Sequence, residues 1–153
     1  MEKTNVHRLL DKAHISYVPH SYESELTDGE EIARVLGEDP SNVYKTLVTE
    51  DPNHNHFVFC IPVDKKLDLK KAAKSAGVKS ISMILQKTLL PLTGYVHGGC
   101  SPIGMKKSFP TFVQTKDEGE KVYVSAGKKG QQIELNYREL VDFIRAKTGD
   151  FVN

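Results

Sequence analysis

The sequence has 153 residues, with 21 lysines and arginines against 20 aspartates and glutamates, and 39% of its residues are hydrophobic. This length and composition predict one compact domain spanning residues 1–153 with a modest core. No stretch approaches the roughly 20 apolar residues of a membrane span, and the first residues do not resemble a secretion signal. These features exclude a strong polycation and a membrane-spanning protein, and a cytoplasmic protein is expected.

The near-zero net charge hides an uneven distribution of charge. Residues 2–51 hold 11 acidic and 5 basic side chains, whereas residues 52–153 hold 16 basic and 9 acidic ones. This split is compatible with one positively charged face, and equally with ordinary solvated lysines. The two cysteines are too few for a disulfide framework of the secreted kind, and Cys60 lies in an apolar run typical of a core strand.

Two helices and one short strand are predicted before residue 40. Apolar side chains at helical spacing indicate a helix over Thr4–Ala13, with its first residue as the N-cap. Alternation over 15–18 indicates a strand that Pro19 ends. The capping-box pattern Thr27–Glu30 predicts the second helix, and Gly37 stands where it ends.

The rest of the chain alternates between strands and helices. Two β-rich runs, joined by the turn-forming residues 50–55, predict an antiparallel hairpin. The predicted elements in order are a turn at 39–42, strands over 44–48 and 56–63, a helix over 67–76 closed by Gly77, a short helix within 81–92, strands over 111–114 and 121–125, and a helix over 137–147. This order predicts a mixed α/β domain with a central, mixed, largely antiparallel sheet flanked by helices.

Glycines mark a segment, residues 94–107, that is a candidate ligand-binding loop. The pair Gly98 and Gly99 would let the backbone approach a ligand closely and direct N–H groups at an oxyanion or a phosphate. A plain loop containing glycine and proline explains the same pattern. The spacing matches neither a Walker A motif nor a dinucleotide-binding fingerprint.

Two other segments leave alternatives open. Residues 125–130 contain two glycines and two lysines, and a tight hairpin turn is the simplest interpretation. Lys45 lies in a predicted strand and shares a side with Leu47, while Tyr44 and Thr46 share the other. A lysine in such surroundings either extends to the edge of the sheet or lines a pocket.

Other reactive side chains give weak signals. His54 and His56 form an H-x-H pair, but they fall in a predicted turn without a third ligand nearby in sequence, and no metal or other cofactor is expected. His97 and Cys100 suggest a Cys–His nucleophilic pair. Catalytic partners are usually brought together by the fold, so their closeness in sequence adds little support.

These segments together resemble the YbaK/EbsC family of Cys-tRNA(Pro) deacylases, which is related to the editing insertion of bacterial prolyl-tRNA synthetases. The resemblance covers nearly the whole chain, and the order and spacing of its motifs make it specific. The matching segments are Ile15–Tyr17, Val43–Leu47, Leu67–Lys71, Gly94–Gly104 and Tyr123–Gly130.

The resemblance implies a free-standing editing enzyme. Its substrate would be aminoacylated tRNA at the 3′ end, charged with cysteine on tRNA(Pro) and also on tRNA(Cys), and prolyl-tRNA synthetase is an expected partner. Neither a membrane nor DNA is expected as a partner. The family's proposed chemistry, in which the substrate thiol attacks its own ester and leaves as a thiolactone, needs no nucleophile or metal from the enzyme.

The resemblance also implies roles for individual residues. Lys45 matches the family's essential lysine, and Gly98 and Gly99 match the glycine pair that approaches the ester, so these three are the expected catalytic residues. The other expected binding or loop-shaping residues are Tyr22, Thr46, Ser101, Pro102, Gly104, Ser125, Gly127 and Gln132.

Two positions depart from the family pattern. Relatives carry an aliphatic residue in place of Cys100, and at least one relative has an aspartate in place of Gln132. A role for the Cys100 thiol is therefore not implied, and a charge-dependent contact at residue 132 is replaced by a hydrogen bond. Two alternative functions fit the same sequence, namely an Ala-tRNA(Pro) hydrolase of the same fold and a non-catalytic adaptor that binds tRNA or a synthetase.

Overall fold

The computed structural model describes residues 2–153, and the mixed α/β class predicted from the sequence is confirmed. The helices are α1 (Asn5–Lys12), α2 (Gly29–Val35), α3 (Leu69–Ala76), α4 (Leu89–Thr93) and α5 (Tyr137–Phe143). The strands are β1 (Tyr17–Ser21), β2 (Tyr44–Glu50), β3 (His56–Pro62), β4 (Ser82–Met83), β5 (Thr111–Gln114), β6 (Lys121–Ser125), β7 (Gln131–Asn136) and β8 (Lys147–Gly149). Among these residues, no helix is long and apolar enough to cross a membrane.

The strands divide into two hydrogen-bonded sheets. The larger sheet has the order β4-β2-β3-β5-β8, and the smaller has the order β1-β7-β6. The predicted hairpin of β2 and β3 is confirmed, with Lys45 opposite Ile61. Strand β5 runs parallel to both β3 and β8, whereas the other pairings are antiparallel. The largely antiparallel, mixed pairing is therefore as predicted.

The two sheets meet where β2 passes β6. Val43 and Tyr123 form an isolated parallel bridge there, and the pairing does not continue beyond it. Two residues further along their strands, Lys45 and Ser125 both line the same pocket. A gap thus opens between the two strands, and the backbone and side chains on either side of it face a common space.

Apolar side chains pack on both faces of the larger sheet. The main core is shared by both sheets, α1 and α5, and includes Tyr44, Val58 and Leu140. On the opposite face, α3 covers a second cluster with Phe59 at its centre. Strand β3 is therefore buried on both faces, which explains its uninterrupted apolar sequence.

The boundaries predicted from local sequence signals were slightly wrong for two of the early elements. The N-cap of α2 is Asp28, whose carboxylate accepts a hydrogen bond from the Glu31 N–H at 3.2 Å, so the helix begins one residue later than the predicted capping box. Pro19 does not end the first strand but lies inside it. Because β1 is the edge of its sheet, the missing N–H of a proline is tolerated there.

The prediction was least accurate where pairing depends on distant segments. The helix expected within 81–92 is reduced to α4, preceded by β4 and a 3-10 turn at Gln86–Thr88. Helix α5 stops at Phe143 instead of residue 147, and Arg145 adopts a positive φ of 55°. The chain then enters β8, which pairs with β5.

Candidate active site

A pocket of about 170 Å³ lies in the gap between β2 and β6. Its volume is small beside the roughly 300–1,000 Å³ of typical drug-sized ligand sites, so it suits a small group better than a whole nucleotide. The lining comes from both sheets, α2, α4 and the loop after α4. The lining residues are Thr27, Gly29, Ile32, Val43, Tyr44, Lys45, Thr46, Leu47, Val63, Leu89, His97, Gly98, Cys100, Ser125 and Gln132.

Lys45 projects from β2 into this pocket. Burial lowers the pKa of its ammonium group below the ordinary value of 10.5, and the charges of Glu30 and Asp28 oppose that shift. Among the described residues, the side chain of Lys45 has no hydrogen-bond or ion-pair partner. A partly buried ammonium without a fixed partner is suited to bind an anionic or strongly polar group of a ligand.

The loop after α4 lines the pocket with Gly98 and Cys100. Gly98 has φ +88°, and a Cβ there would lie 2.7 Å from the Thr27 methyl group, so only glycine fits without strain. The Gly99 N–H is already used, because it donates to the Val96 carbonyl at 3.0 Å. Within residues 2–153, the N–H groups of Gly98 and Cys100 have no acceptor. Of the predicted glycine pair, Gly98 therefore keeps an unpaired N–H, and Cys100 adds a second one in the same loop.

Gly99 is required by packing between two loops. A Cβ at this position would lie 2.9 Å from the backbone nitrogen of Lys129 and 3.1 Å from the carbonyl carbon of Lys128. The loop that contains Gly99 therefore lies directly against the turn between β6 and β7. Any larger residue would push the two loops apart and widen the rim of the pocket.

Tyr95 holds the other loop-shaping residues in place. Its hydroxyl donates to the Ile103 carbonyl, and a Cβ at either Gly104 or Gly127 would lie 3.0–3.1 Å from an atom of its ring or hydroxyl. Ser101 is fully buried and accepts a hydrogen bond from the Ile103 N–H at 3.2 Å. These contacts support a structural role for the three predicted residues.

Pro102 and Gly104 lie away from the other predicted residues. Both line a separate cavity on the side of α5, together with Phe109 and Phe143. This placement is compatible with their shaping the glycine loop. It does not bring them into the pocket that contains Lys45.

Gln132 lines the pocket, and Tyr22 lies next to it. The Tyr22 hydroxyl and the Gln132 Oε1 atom are both buried without a hydrogen-bond partner. Burial raises the pKa of Tyr22, and the adjacent Gln132 side chain opposes the rise, although the two groups are not in hydrogen-bonding geometry. Buried polar atoms are usually paired, so a ligand that donates to one and accepts from the other would satisfy both.

Ser125 and Thr46 line the pocket but already make contacts within the protein. The Ser125 hydroxyl accepts from the Gly127 N–H at 3.1 Å, which shapes the β6–β7 turn. The Thr46 hydroxyl lies 3.8 Å from the Cys60 sulfur on the neighbouring strand. Each hydroxyl retains further hydrogen-bonding capacity for a ligand.

The protein's own reactive groups are poorly prepared for nucleophilic attack. Burial raises the pKa of both cysteines to about 12, so at neutral pH Cys100 is a thiol and not a thiolate. His97 lines the pocket, but within residues 2–153 it makes no hydrogen bond to Cys100. Among the same residues, no group of three or more candidate metal ligands is found.

The structure therefore gathers five predicted residues in one pocket, with Tyr22 beside them. Those five are Lys45, Thr46, Gly98, Ser125 and Gln132. Sequence reasoning missed Thr27, Gly29 and Leu89, which lie in or next to helices and carry no chemical motif. A glycine at the start of a helix, such as Gly29, is only a weak signal in the sequence. The structure explains it, since a Cβ on Gly29 would lie 2.5 Å from Val63.

Comparison with known proteins finds a family that matches most of the chain. The model of the aminoacyl-tRNA editing domain matches residues 23–143. The chain is 40% identical over 137 residues to EbsC of Enterococcus faecalis, whose name proposes a Cys-tRNA(Pro)/Cys-tRNA(Cys) deacylase. The match covers 88% of this chain and 84% of that protein.

Solved structures share the fold at low sequence identity. A proposed trans-editing enzyme for prolyl-tRNA synthetase superposes with a TM-score of 0.84 at 20% identity, covering 100% of this chain and 99% of its own. A hypothetical protein superposes with a TM-score of 0.88 at 24% identity, covering 98% of this chain and 100% of its own. With the family model spanning most of the sequence, the chain belongs to the aminoacyl-tRNA editing domain family.

Proposed function

We propose that this chain is an aminoacyl-tRNA deacylase that removes cysteine from Cys-tRNA(Pro), and also from Cys-tRNA(Cys). Its membership of the editing family and its 40% identity to EbsC support this activity. The pocket is the observation that supports this function most strongly. It contains a partly buried lysine and unpaired N–H groups, but its only thiol is buried and protonated.

The need for such an activity follows from the limits of recognition. A binding pocket separates amino acids that differ by one methylene by only about 1–3 kcal/mol, so a synthetase that must distinguish side chains of similar size makes errors. A second, separate site then removes the wrong product. We propose that residues 1–153 act as one editing domain, in the cytoplasm and together with prolyl-tRNA synthetase.

We further propose that the thiol of the substrate supplies the nucleophile. The cysteine sulfur forms a bond to the ester carbonyl carbon, and the bond from that carbon to the ribose oxygen breaks. The thiol proton ends on the ribose oxygen, so the products are free tRNA and a cyclic thioester. This route explains why the pocket needs no nucleophile of its own, and it makes the enzyme a lyase in type.

In this mechanism the pocket orients the ester and stabilises charge. The N–H groups of Gly98 and Cys100, which have no acceptor within residues 2–153, would donate to the oxyanion that develops on the ester carbonyl. Lys45 would bind the aminoacyl group or the terminal ribose and phosphate. Tyr22 and Gln132 would exchange hydrogen bonds with a polar group of the substrate. Holding the thiol and carbonyl together can contribute several kcal/mol.

Release of cysteine from purified Cys-tRNA(Pro) by the isolated protein is the direct test. We expect rapid release from Cys-tRNA(Pro) and Cys-tRNA(Cys), and little from Ala-tRNA(Pro), because alanine has no thiol. Preferential release of alanine would contradict the proposal and identify an alanine-editing hydrolase. Binding of tRNA without release of either amino acid would identify an adaptor.

Replacing Cys100 with alanine should leave deacylation within about threefold of the wild-type rate, since a thiol with a pKa near 12 is a poor nucleophile at neutral pH. Initial rates of cysteine release from Cys-tRNA(Pro) measure this. The Cys60→Ala variant provides a matched control for loss of a buried thiol. Complete loss of activity in a folded Cys100→Ala protein would favour an enzyme thiol as the nucleophile.

A further inference from the structure

Charged side chains of both signs lie around the pocket. The carboxylates of Glu30, Asp28 and Asp64 interact electrostatically with Lys45. They belong to the start of α2 and the turn after β3. The turn between β6 and β7 carries Lys128 and Lys129. A negatively charged group of a ligand is bound more favourably at this turn than beside the carboxylates.

Lys129 is held at the mouth of the pocket by contacts of its turn. Its Cε atom lies 3.7 Å from the position of a Cβ on Gly98, which itself lines the pocket. The backbone of its turn lies so close to Gly99 that a Cβ on Gly99 would come within 2.9–3.3 Å of it. The backbone from which the Lys129 side chain extends over Gly98 is therefore fixed by close packing.

The charge of Lys129 is available to a ligand. Lys71, Lys116 and Lys121 each lie within 3 Å of a carboxylate oxygen, whereas Lys129 makes no ion pair or hydrogen bond within residues 2–153. Its side chain is also exposed, so the ammonium group is accessible to a ligand. Such a group adds binding energy to an anion without the cost of breaking an existing pair.

We propose that Lys129, and not Lys45, binds the 5′-phosphate of the terminal nucleotide of the aminoacylated tRNA and so positions the ester over Gly98, which leaves Lys45 for the aminoacyl group or the ribose. This inference rests on the proposed function. The aminoacyl ester is attached to the terminal ribose, and the phosphate of that nucleotide is the nearest full negative charge. The carboxylates around Lys45 disfavour the phosphate there, whereas the unpaired charge of Lys129 attracts it.

Two small substrates isolate this contact from the rest of the tRNA. One is cysteine esterified to the 3′-hydroxyl of adenosine, and the other is the same ester of adenosine 5′-phosphate. We expect wild-type protein to prefer the phosphorylated ester by roughly tenfold in kcat/KM, the size of one charge-assisted hydrogen bond. The preference should lie mainly in KM, because the contact is distant from the reacting atoms.

Lys129→Ala should abolish the preference for the phosphate while leaving the rate on the unphosphorylated ester unchanged, and Lys129→Arg should retain the preference. The matched control is Lys128→Ala, which removes the same charge from the same turn and should keep the preference. With Cys-tRNA(Pro), Lys129→Ala should also reduce the slope of log(kcat/KM) against log[salt] by about 0.7–1.

The outcomes separate this inference from the function on which it rests. Cysteine release with no preference for the phosphate in wild-type protein would overturn the role of Lys129 and leave the deacylase function standing. The same holds if Lys128→Ala and Lys129→Ala lose the preference equally. Failure of wild-type protein to release cysteine from either ester and from Cys-tRNA(Pro) would overturn both.

Discussion

Replacing Lys45 with alanine is expected to slow the release of cysteine from Cys-tRNA(Pro) at least about a hundredfold, which is the order of the loss when a bound ester is no longer held in the reactive geometry. Lys45 is the partly buried cation of the pocket, and its side chain faces the space where the ester would lie. Single-turnover rates measured with saturating protein give the chemical step directly, free of differences in tRNA affinity.

The fold should survive this substitution. Within residues 2–153 the side chain of Lys45 has no hydrogen-bond or ion-pair partner, so alanine leaves no buried group unsatisfied. Burial lowers the pKa of the ammonium group, which means that the folded state disfavours the charged form and gains nothing from it at neutral pH. The melting temperature of Lys45→Ala should therefore equal or exceed that of the wild type.

Two companion variants complete the test of Lys45. Lys45→Met keeps the apolar stem and removes only the charge, so it should be as inactive as Lys45→Ala. Lys66→Ala removes a nearby exposed lysine that does not line the pocket, and should retain activity. Near-normal cysteine release by either Lys45 variant would contradict the proposed role of its ammonium group.

The sequence predicted the elements whose signals are local. The β2–β3 hairpin follows from two β-rich runs around the turn at Asp51–Asn55, and Thr4 caps α1 as its position predicts. Strand β7 was missed because only Ile133 and Leu135 of its residues are apolar, although they alternate with polar ones. Gln132 is buried there beside the pocket, while Ile133 faces the main core. Polar side chains therefore occupy positions that a sheet packed only against a core would fill with apolar ones.

The sequence of β2 alone did not decide whether Lys45 extends to the edge of the sheet or lines a pocket. Alternation in β2 was predicted correctly, since Tyr44 packs in the main core and Leu47 packs against the cluster under α3. Whether Lys45 reaches solvent or a pocket depends on the gap that opens after the Val43–Tyr123 bridge. That gap joins segments about 80 residues apart, and no local periodicity encodes it.

The glycine pair shows a different limit of sequence reasoning. Gly98 and Gly99 look equivalent in sequence, and both were expected to direct N–H groups at the substrate. In the structure Gly98 has a positive φ and an unpaired N–H, whereas Gly99 donates to Val96 and packs against the turn that carries Lys129. A glycine required for close packing cannot be distinguished from one required for ligand access by the sequence alone.

Methylation of the substrate sulfur should have an effect as large as the loss of Lys45. With S-methylcysteinyl-tRNA(Pro), we expect release of the amino acid to slow by more than about a hundredfold, because the methylated sulfur cannot attack the ester, and the advantage of an attached nucleophile is lost. The pocket offers no replacement, since burial keeps the Cys100 thiol protonated. Deacylation of both substrates at equal, saturating protein concentration measures the ratio.

A bulky methyl group would also slow release if it merely prevented binding, and inhibition separates the two causes. We expect S-methylcysteinyl-tRNA(Pro) to compete with Cys-tRNA(Pro) with an inhibition constant close to the KM of the true substrate, which shows that it enters the pocket without reacting. Seryl-tRNA(Pro) provides a nearly isosteric control, and should also bind but react slowly, because a hydroxyl is a far weaker nucleophile than a thiolate at neutral pH. Equal rates on cysteine, S-methylcysteine and serine would show instead that water attacks the ester, and the unpaired N–H groups of Gly98 and Cys100 would then serve a hydrolase.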